Sequence, residues 1–299
     1  MNPRDVFGDD ARIVYDAELD SLSTYGVRAR AGALLTLSEV DDLEELTPGL
    51  LALEPTWRIL GAGSNVLLGE GARNLLLVQL RGAWSTLDVD ESGTARLGAG
   101  LALPVAARRL AGAGWTGFEW AVGIPGSAGG AVVMNAGGHG ADLASVLRSV
   151  TLWRDGEIVT VPAADLGLSY RHSLLGARDL VVRLEITLEP GLKEQSEERL
   201  REIVRWRREY QPGGRNAGSV FTNPPGDHAA RLLEAAGLKG RRVGGAEVSE
   251  KHANFILCAQ GTRAEEVAAL MVLMRTGVHE AFGVWLETEH RFIGLAEPW

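Results

Sequence analysis

Between Gly123 and Gly140 the chain reads GIPGSAGGAVVMNAGGHG, which holds seven glycines in eighteen residues. Glycine at this density costs backbone entropy, and a compact domain uses it where φ is positive or where backbone must approach something closely. The run keeps one apolar, strand-like stretch, Ala131-Val132-Val133-Met134. Its polar side chains are few: Ser127, Asn135 and His139. Whatever it holds is therefore gripped mainly by peptide N–H groups, which points to a large, flat or phosphorylated ligand.

A second glycine loop, Gly61-Ala62-Gly63-Ser64-Asn65, follows the strand candidate TWRIL. A dinucleotide fingerprint needs a third glycine, a following helix and an acidic residue about 20 positions on. The sequence VLLGEGARNLLLVQL reads instead as strand and turn, so the Rossmann reading is poor. No Gly-Lys-Ser/Thr follows, so the P-loop reading fails as well. One such loop is most simply a tight turn. Two in one β-rich region favour a phosphate-rich cofactor held by nests of peptide N–H groups.

The chain has 299 residues, enough for two domains with separate cores. Short strand candidates alternate with glycine turns from Val27 to Pro190, and Asp155-Gly156 between two alternating runs predicts a hairpin. Ser38 to Asp41 opens a helix with a capping pattern, and Leu103-Pro104 opens another. After Pro190-Gly191 the character changes. Lys193 to Tyr210 reads as a charged amphipathic helix, and Asp227 to Ala236 as a second helix ending at Gly237. A third helix starts at Thr262 with Glu265 as its capping partner, placing Val267, Leu270, Met271, Met274 and Val278 on one face. NFILC and WLETEHRFIG complete an α+β unit. The expected boundary lies near residue 190, giving domains 1–190 and 191–299.

A net charge of −9 argues against a nucleic-acid partner. No apolar run reaches the ~20 residues of a membrane span, and the acidic first residues lack a signal-peptide plan. The one cysteine, Cys258, excludes an internal disulfide and fits a reducing cytoplasm. It sits in an apolar strand as an inert core thiol. The six histidines show no metal-ligand spacing, so no metal site is expected.

Three further segments stand out. In Tyr170-Arg171-His172-Ser173 the arginine offers a rigid fork for carboxylate or phosphate, against the commoner fate of a surface salt bridge. Ser219, in Ala217 to Pro224, sits in a glycine turn without any marked base, so alone it reads as a turn residue. In Leu286 to Gly294, alternation puts Leu286, Thr288, His290 and Phe292 on one face, with Glu287, Glu289, Arg291 and Ile293 on the other. The arginines between Arg199 and Arg208 have glutamates at helical spacing, so most of that face is paired and solvated.

Taken in order, ILGAGSNVLL, GFEWAVGIPGSAGGAVVMNAGGHG, YRHS, QP…AGSVFTNP, AGLKG, SEKHANFI and LETEHRFIG resemble the UDP-N-acetylenolpyruvoylglucosamine reductase family from about Ser23 to Gly294. The resemblance implies an FAD-binding domain of the vanillyl-alcohol-oxidase (PCMH) type and a C-terminal α+β substrate-binding domain. It implies non-covalent FAD and NADPH as hydride donor, reducing UDP-N-acetylglucosamine enolpyruvate to UDP-N-acetylmuramate in cytoplasmic peptidoglycan precursor synthesis. The family's catalytic arginine, proton-donor serine and catalytic glutamate match Arg171, Ser219 and Glu289. Cofactor binding would fall to Gly61, Gly63, Ser64, Asn65, Gly123, Ile124, Pro125, Gly126, Ser127, Gly129, Gly130, Asn135 and Gly137. Tyr170, Arg207 and Asn223 match positions near the substrate. The short connection from Ser173 to Leu180 resembles the branch without an extra substrate-capping loop. The family pattern has lysine where this chain has Thr222. If that lysine orients the serine or neutralises a phosphate, another cation must take its place here. Small-molecule partners and a monomer are expected.

Two other readings stand beside this one. An alcohol oxidase on the same scaffold could attach flavin covalently, with His139 in the glycine run as the candidate anchor. A non-catalytic sugar-nucleotide or flavin-binding protein is disfavoured by the presence of Arg171, Ser219 and Glu289 together.

Overall fold

The computed structural model describes residues 2–299, which fall into two compact units. The first comprises residues 2–14, Leu34–Ala62 and Leu76–Arg207; the second comprises Tyr15–Ala33, Gly63–Leu75 and Arg208–Trp299.

The first unit is built on an antiparallel five-stranded sheet. Its spatial order is Glu157–Pro162, Leu147–Arg154, Leu180–Thr187, Thr94–Gly98 and Leu87–Val89. The Asp155-Gly156 hairpin is present, with φ of 50° and 91° at its two turn residues. Positive φ at both is what a type I′ turn requires, and it matches the right-handed twist of the flanking strands. The helix Leu103–Gly112, with Pro104 in its first turn, buries Leu103, Ala106, Ala107, Leu110 and Ala111 in the same core as Leu97, Val150, Leu152, Leu184 and Ile186. A second strand group pairs Trp57–Ile59 in parallel with Leu76–Leu80. The helix Val40–Ala52 opens as expected, though Asp42 rather than Asp41 accepts from both the Ser38 and Glu39 N–H groups, at 2.8 Å each.

The stretch read as strand-like, Ala131 to Met134, is helical. The helix Ala128–Val133 starts because Ser127 Oγ accepts from Gly130 N–H at 3.3 Å. A serine N-cap and the neighbouring Ala128, Gly129 and Gly130 outweigh the β preference of two adjacent valines.

In the second unit the helix Ala264–Phe282 packs on an antiparallel three-stranded sheet, Arg242–Val243, Ala246–Val248 and Ile256–Cys258, and against the helix Ala229–Ala235. The expected face of Val267, Leu270, Met271, Met274 and Val278 is buried. This helix starts one residue later than its sequence pattern suggested. The Thr262 hydroxyl is spent on Ala259 C=O at 2.8 Å, and Glu266 instead accepts from Arg263 N–H at 3.2 Å. A parallel pair, Val66–Leu68 with Arg291–Ile293, belongs to the same unit. Leu286 and His290 are buried on the predicted face, but Thr288 and Glu289 are both half-buried, and Ile293, not Phe292, is the more buried of the last pair. The charged helix Lys193–Tyr210 carries surface ion pairs such as Arg199–Glu202 at 3.0 Å and Arg201–Glu198 at 2.7 Å. The expected solvated face is there with different partners.

Candidate active site

In the first unit the two glycine loops meet. A Cβ added to Gly61 would lie 2.8 Å from Ser127 Oγ, so only hydrogen fits there unless Ser127 moves. The main-chain N–H groups of Gly61, Ala62, Gly126 and Ser127 donate to no acceptor among the described residues. The carbonyls of Gly61 and Gly126, by contrast, are occupied. Gly61 C=O accepts from Gln79 Nε2 at 3.2 Å, and Gly126 C=O accepts from Leu103 N–H at 3.0 Å. At Gly61 and Gly126 the acceptors therefore face the protein, while the four N–H donors are left available. Ile124 closes a turn on Ala121 C=O, and Pro125 is exposed between Ile124 and Gly126. Gly129 and Gly130 lie within the helix Ala128–Val133, with Gly129 N–H bonded to Ala99 C=O at 2.9 Å. Their role is packing and helix start.

Arg171 reaches this run, as its Nη2 donates to Gly137 C=O at 2.9 Å. The residue holds φ of +57°, a backbone state that a non-glycine residue keeps only when its surroundings impose it. Its guanidinium lies 5.1 Å from the ring centroid of Tyr170, which is itself exposed. Asn135 is buried and its side chain is fully engaged. Nδ2 donates to Ser169 C=O at 3.0 Å and to Asp142 at 3.2 Å, while Oδ1 accepts from Ala144 N–H at 2.9 Å. Asn135 thus braces the run. Gly123 is enclosed by Ile203, His139 and Arg207, each within 3.3 Å of where a Cβ would sit. Burial lowers the pKa of Arg207, and burial together with Arg207 and Arg199 lowers that of His139. His139 stacks edge-on to Trp206 at 5.1 Å between ring centroids.

In the second unit Gly63 continues the first glycine loop with φ of +65°, and a Cβ there would fall 1.9 Å from Leu22 C=O. Its own carbonyl accepts from Thr24 N–H at 3.0 Å. Ser64 is half-buried, and Asn65 Nδ2 donates to Glu289 C=O at 2.8 Å. The structure brings the segments of Ser219 and Glu289 together: Glu289 N–H bonds Val220 C=O at 2.9 Å, and Thr222 N–H bonds Glu287 C=O at 2.8 Å. Neither Ser219 nor Glu289 lies in a strand, so their placement depends on such cross-bonds. Asn254 supplies two of them, accepting from Phe221 N–H at 3.0 Å and donating to Phe221 C=O at 2.8 Å. Arg275 holds the other segment through Nε to Leu286 C=O at 2.9 Å, with its guanidinium 4.5 Å from the Trp285 ring and 4.6 Å from that of Trp299. Tyr25 and His290 are both buried, and Tyr25 Oη lies 2.7 Å from His290 Nε2. Burial pulls the His290 pKa down to about 3, so the ring is neutral. The Ser219 hydroxyl has no hydrogen-bond partner among the described residues.

Asn223 Oδ1 accepts from Ala229 N–H at 3.0 Å, so this residue caps the helix that follows. Thr222 Oγ1 donates to Glu287 C=O at 3.2 Å, adding a link between the two segments where the family pattern has lysine. Burial, with Glu266 nearby, pushes the Cys258 thiol up to about 12. Among the described residues no group of three or more His, Cys, Asp and Glu could hold a metal ion, and no helix is long and apolar enough to cross a membrane. Gln79 and Asn254 hold the loop and the Ser219 segment, and the Tyr25–His290 pair is buried next to Glu289, yet sequence reasoning assigned them no role. The available signal was Gln79 itself, an amide in the apolar run LLLVQL.

The cradle in the first unit fits a phosphate-bearing cofactor. It offers uncommitted N–H donors and leaves no room for side chains at Gly61. Residues 32–162 match the FAD binding domain family. Residues 210–293 match the family described as UDP-N-acetylenolpyruvoylglucosamine reductase, C-terminal domain. The chain is 41% identical over 283 residues to a UDP-N-acetylenolpyruvoylglucosamine reductase of Gloeobacter violaceus, covering 93% of this chain and 95% of that one. It is 44% identical over 271 residues to UDP-N-acetylenolpyruvoylglucosamine reductase 2 of Symbiobacterium thermophilum, covering 88% and 87%. Among solved structures, the UDP-N-acetylenolpyruvylglucosamine reductase from Thermus caldophilus superimposes with a TM-score of 0.80 at 35% identity, covering 94% of this chain and 97% of that one.

Proposed function

The chain belongs to the UDP-N-acetylenolpyruvoylglucosamine reductase family, and we propose that it reduces UDP-N-acetylglucosamine enolpyruvate to UDP-N-acetylmuramate with NADPH, as an FAD enzyme of peptidoglycan precursor synthesis. The observation that carries this reading for the chain's own residues is the hydrogen-bonded placement of the Ser219 and Glu289 segments side by side. Arg171 is anchored separately on the glycine run.

FAD would be held non-covalently by main-chain groups of Gly61, Gly63, Ser64 and Asn65, and of Gly123 to Ser127, with Gly137 close by. When bound, it supplies hydride chemistry between NADPH and the terminal carbon of the enol ether. The protein's own task is then charge and proton placement. Hydride addition pushes negative charge onto the adjacent carbon and into the substrate carboxylate. Arg171, a permanent cation with a planar fork, stabilises that carboxylate end, and a donor placed where charge develops is worth ~10²–10³ in rate. Glu289 assists as a hydrogen-bonding partner. Ser219 delivers the proton to the adjacent carbon, a role worth ~10²–10⁴. Tyr170 and Arg207 would lie along the substrate; Asn223 serves the same region by capping a helix. By function the division is 1–190 for the cofactor and 191–299 for the substrate. A monomer in the cytoplasm is the setting proposed, and the single cysteine fits a reducing compartment.

The test separates the two half-reactions. Ser219→Ala is expected to leave flavin reduction by NADPH near the wild-type rate and to abolish reoxidation by the enolpyruvyl substrate, both followed anaerobically in the flavin spectrum. Equal loss of both half-reactions overturns the assignment of Ser219.

A further inference from the structure

The strand Leu76–Leu80 is apolar on both faces except for Gln79, which is only 3% exposed. A buried amide persists where its hydrogen bonds are made. Gln79 makes them to two different elements. Oε1 accepts from Arg81 Nη2 at 3.3 Å, and Nε2 donates to Gly61 C=O at 3.2 Å. The first bond fixes the orientation of the second, because a guanidinium only donates. The oxygen must face Arg81, so the NH₂ must face Gly61.

The consequence falls on the next residue. The Gly61-Ala62 peptide is trans. In a trans unit C=O and N–H point in opposite directions. Holding Gly61 C=O against the strand therefore turns Ala62 N–H the other way. Gly61 has no Cβ to resist rotation of this peptide, so the plane is set by its hydrogen bond. A flip would replace a donor in the cradle with a carbonyl oxygen, which repels a phosphate.

We propose that Gln79 is a positioning residue for the cofactor loop, pinning the Gly61-Ala62 peptide so that Ala62 N–H is offered to an anionic phosphate. This rests on the reading that the loop holds the FAD pyrophosphate. Gln79 touches no ligand itself. Its contribution lies in peptide orientation, and through that in the affinity for phosphate-bearing cofactor.

The experiment compares FAD dissociation constants, read from flavin fluorescence, with thermal midpoints of the FAD-free and FAD-saturated protein. Gln79→Met keeps the length and the apolar packing but loses the donor. It is expected to raise the FAD dissociation constant about tenfold, the size of one hydrogen bond, and to lower the FAD-saturated midpoint by more than the FAD-free one. Gln79→Glu keeps an acceptor for Arg81 but turns an oxygen towards Gly61 C=O, and it is expected to bind FAD at least as weakly as Gln79→Met. Gly61→Val, which fills the cradle beside Ser127, serves as the reference. If Gly61→Val loses FAD while Gln79→Met binds it as wild type does, the role of Gln79 is overturned and the loop reading stands. If both bind FAD normally, the loop reading falls. A Glu variant that binds FAD as tightly as wild type, or a fall in the FAD-free midpoint that matches the FAD-saturated one, also overturns the role of Gln79.

Discussion

The glycine cradle of the first unit and the Ser219–Glu289 segments of the second solve placement in opposite ways. In the cradle the functional groups are main-chain N–H donors, and what matters is which way each peptide faces. Gln79 and Leu103 fix that by occupying Gly61 and Gly126 carbonyls. In the second unit the functional groups are side chains on irregular segments, so their positions are borrowed from residues far away in sequence. Asn254 holds Phe221, Asn65 holds Glu289, and Arg275 holds Leu286. Where backbone is the binding group, the sequence must supply glycine. Where side chains are, it can draw the supports from anywhere.

The most severe way to break this comparison is to put a Cβ into the loop. Gly63→Ala would place one 1.9 Å from Leu22 C=O at a φ of +65°. Backbone, unlike a flexible side chain, cannot yield cheaply. A loss of about 4 kcal/mol, with poor FAD retention, is expected from overpacking and backbone strain together. Chemical denaturation and the flavin-to-protein absorbance ratio measure it. A variant with wild-type stability and full flavin would show that the loop tolerates side chains, and the contrast would collapse.

In the second unit the comparable change is at Asn254. Asn254→Leu leaves the buried Phe221 N–H and C=O both without partners, which predicts a loss of about 3 kcal/mol. Asn254→Asp keeps the acceptor for Phe221 N–H and should separate the two bonds. Reoxidation of flavin by the enolpyruvyl substrate is expected to slow in both variants, with reduction by NADPH preserved. Slowing of both half-reactions alike would mean that Asn254 supports the fold and not the Ser219 segment.

These two cases also explain what could be read beforehand. The glycine loops announced a cofactor because few other uses justify seven glycines in eighteen residues. The α+β fold, the Asp155-Gly156 hairpin and the helix Lys193–Tyr210 follow local rules of turn chemistry and periodicity, and all are present. The Ala131 to Met134 stretch misled because two valines suggest a strand, whereas Ser127 and three small residues start a helix. Both helix caps slipped by one residue, since a hydroxyl or carboxylate is chosen by tertiary geometry that spacing alone does not contain. Asn254, Tyr25 and His290 are supports whose partners lie 33 and 265 residues away. No local pattern marks such pairs. Arg171, Ser219 and Glu289 became candidates only through the ordered motifs, since each alone reads as an ordinary surface or turn residue.

The buried pair behind Glu289 makes the second unit sensitive to acid. His290 is held neutral in the folded chain, with its pKa pulled down to about 3 from 6.5, while the unfolded chain takes up a proton near the ordinary value. Between those limits the unfolded state binds more protons, so stability rises with pH and falls as the solution is acidified. From pH 6.5 to about 4.5 this amounts to roughly 2–3 kcal/mol at ~1.4 kcal/mol per unit. Above pH 6.5 the effect vanishes, because His290 is neutral in both states. Denaturation midpoints of the wild type and of His290→Val across this range measure it, and a wild-type slope no steeper than that of the variant would rule His290 out as the acid-sensitive group.

The smallest effect is also the most diagnostic. Tyr25→Phe removes only a hydroxyl, but it leaves His290 Nε2 buried without its 2.7 Å partner. His290 Nδ1 already lacks one among the described residues. An orphaned buried polar group costs about 1–2 kcal/mol, so the single variant should lose that much stability. Combining it with His290→Val makes both partners apolar. Such a double replacement is close to neutral when the shapes are kept, so stability should return towards the wild-type value. The kinetic consequence separates two kinds of support. If the pair serves only to satisfy its own polarity, the double variant reoxidises its flavin as fast as wild type. If the hydrogen bond fixes the backbone that carries Glu289, reoxidation stays slow although stability has returned. The strands on either side of the pair, Val66–Leu68 and Arg291–Ile293, remain hydrogen-bonded in register without it. That ladder and the Asn65 bond to Glu289 already hold the backbone, so full kinetic recovery of the double variant is the expected result.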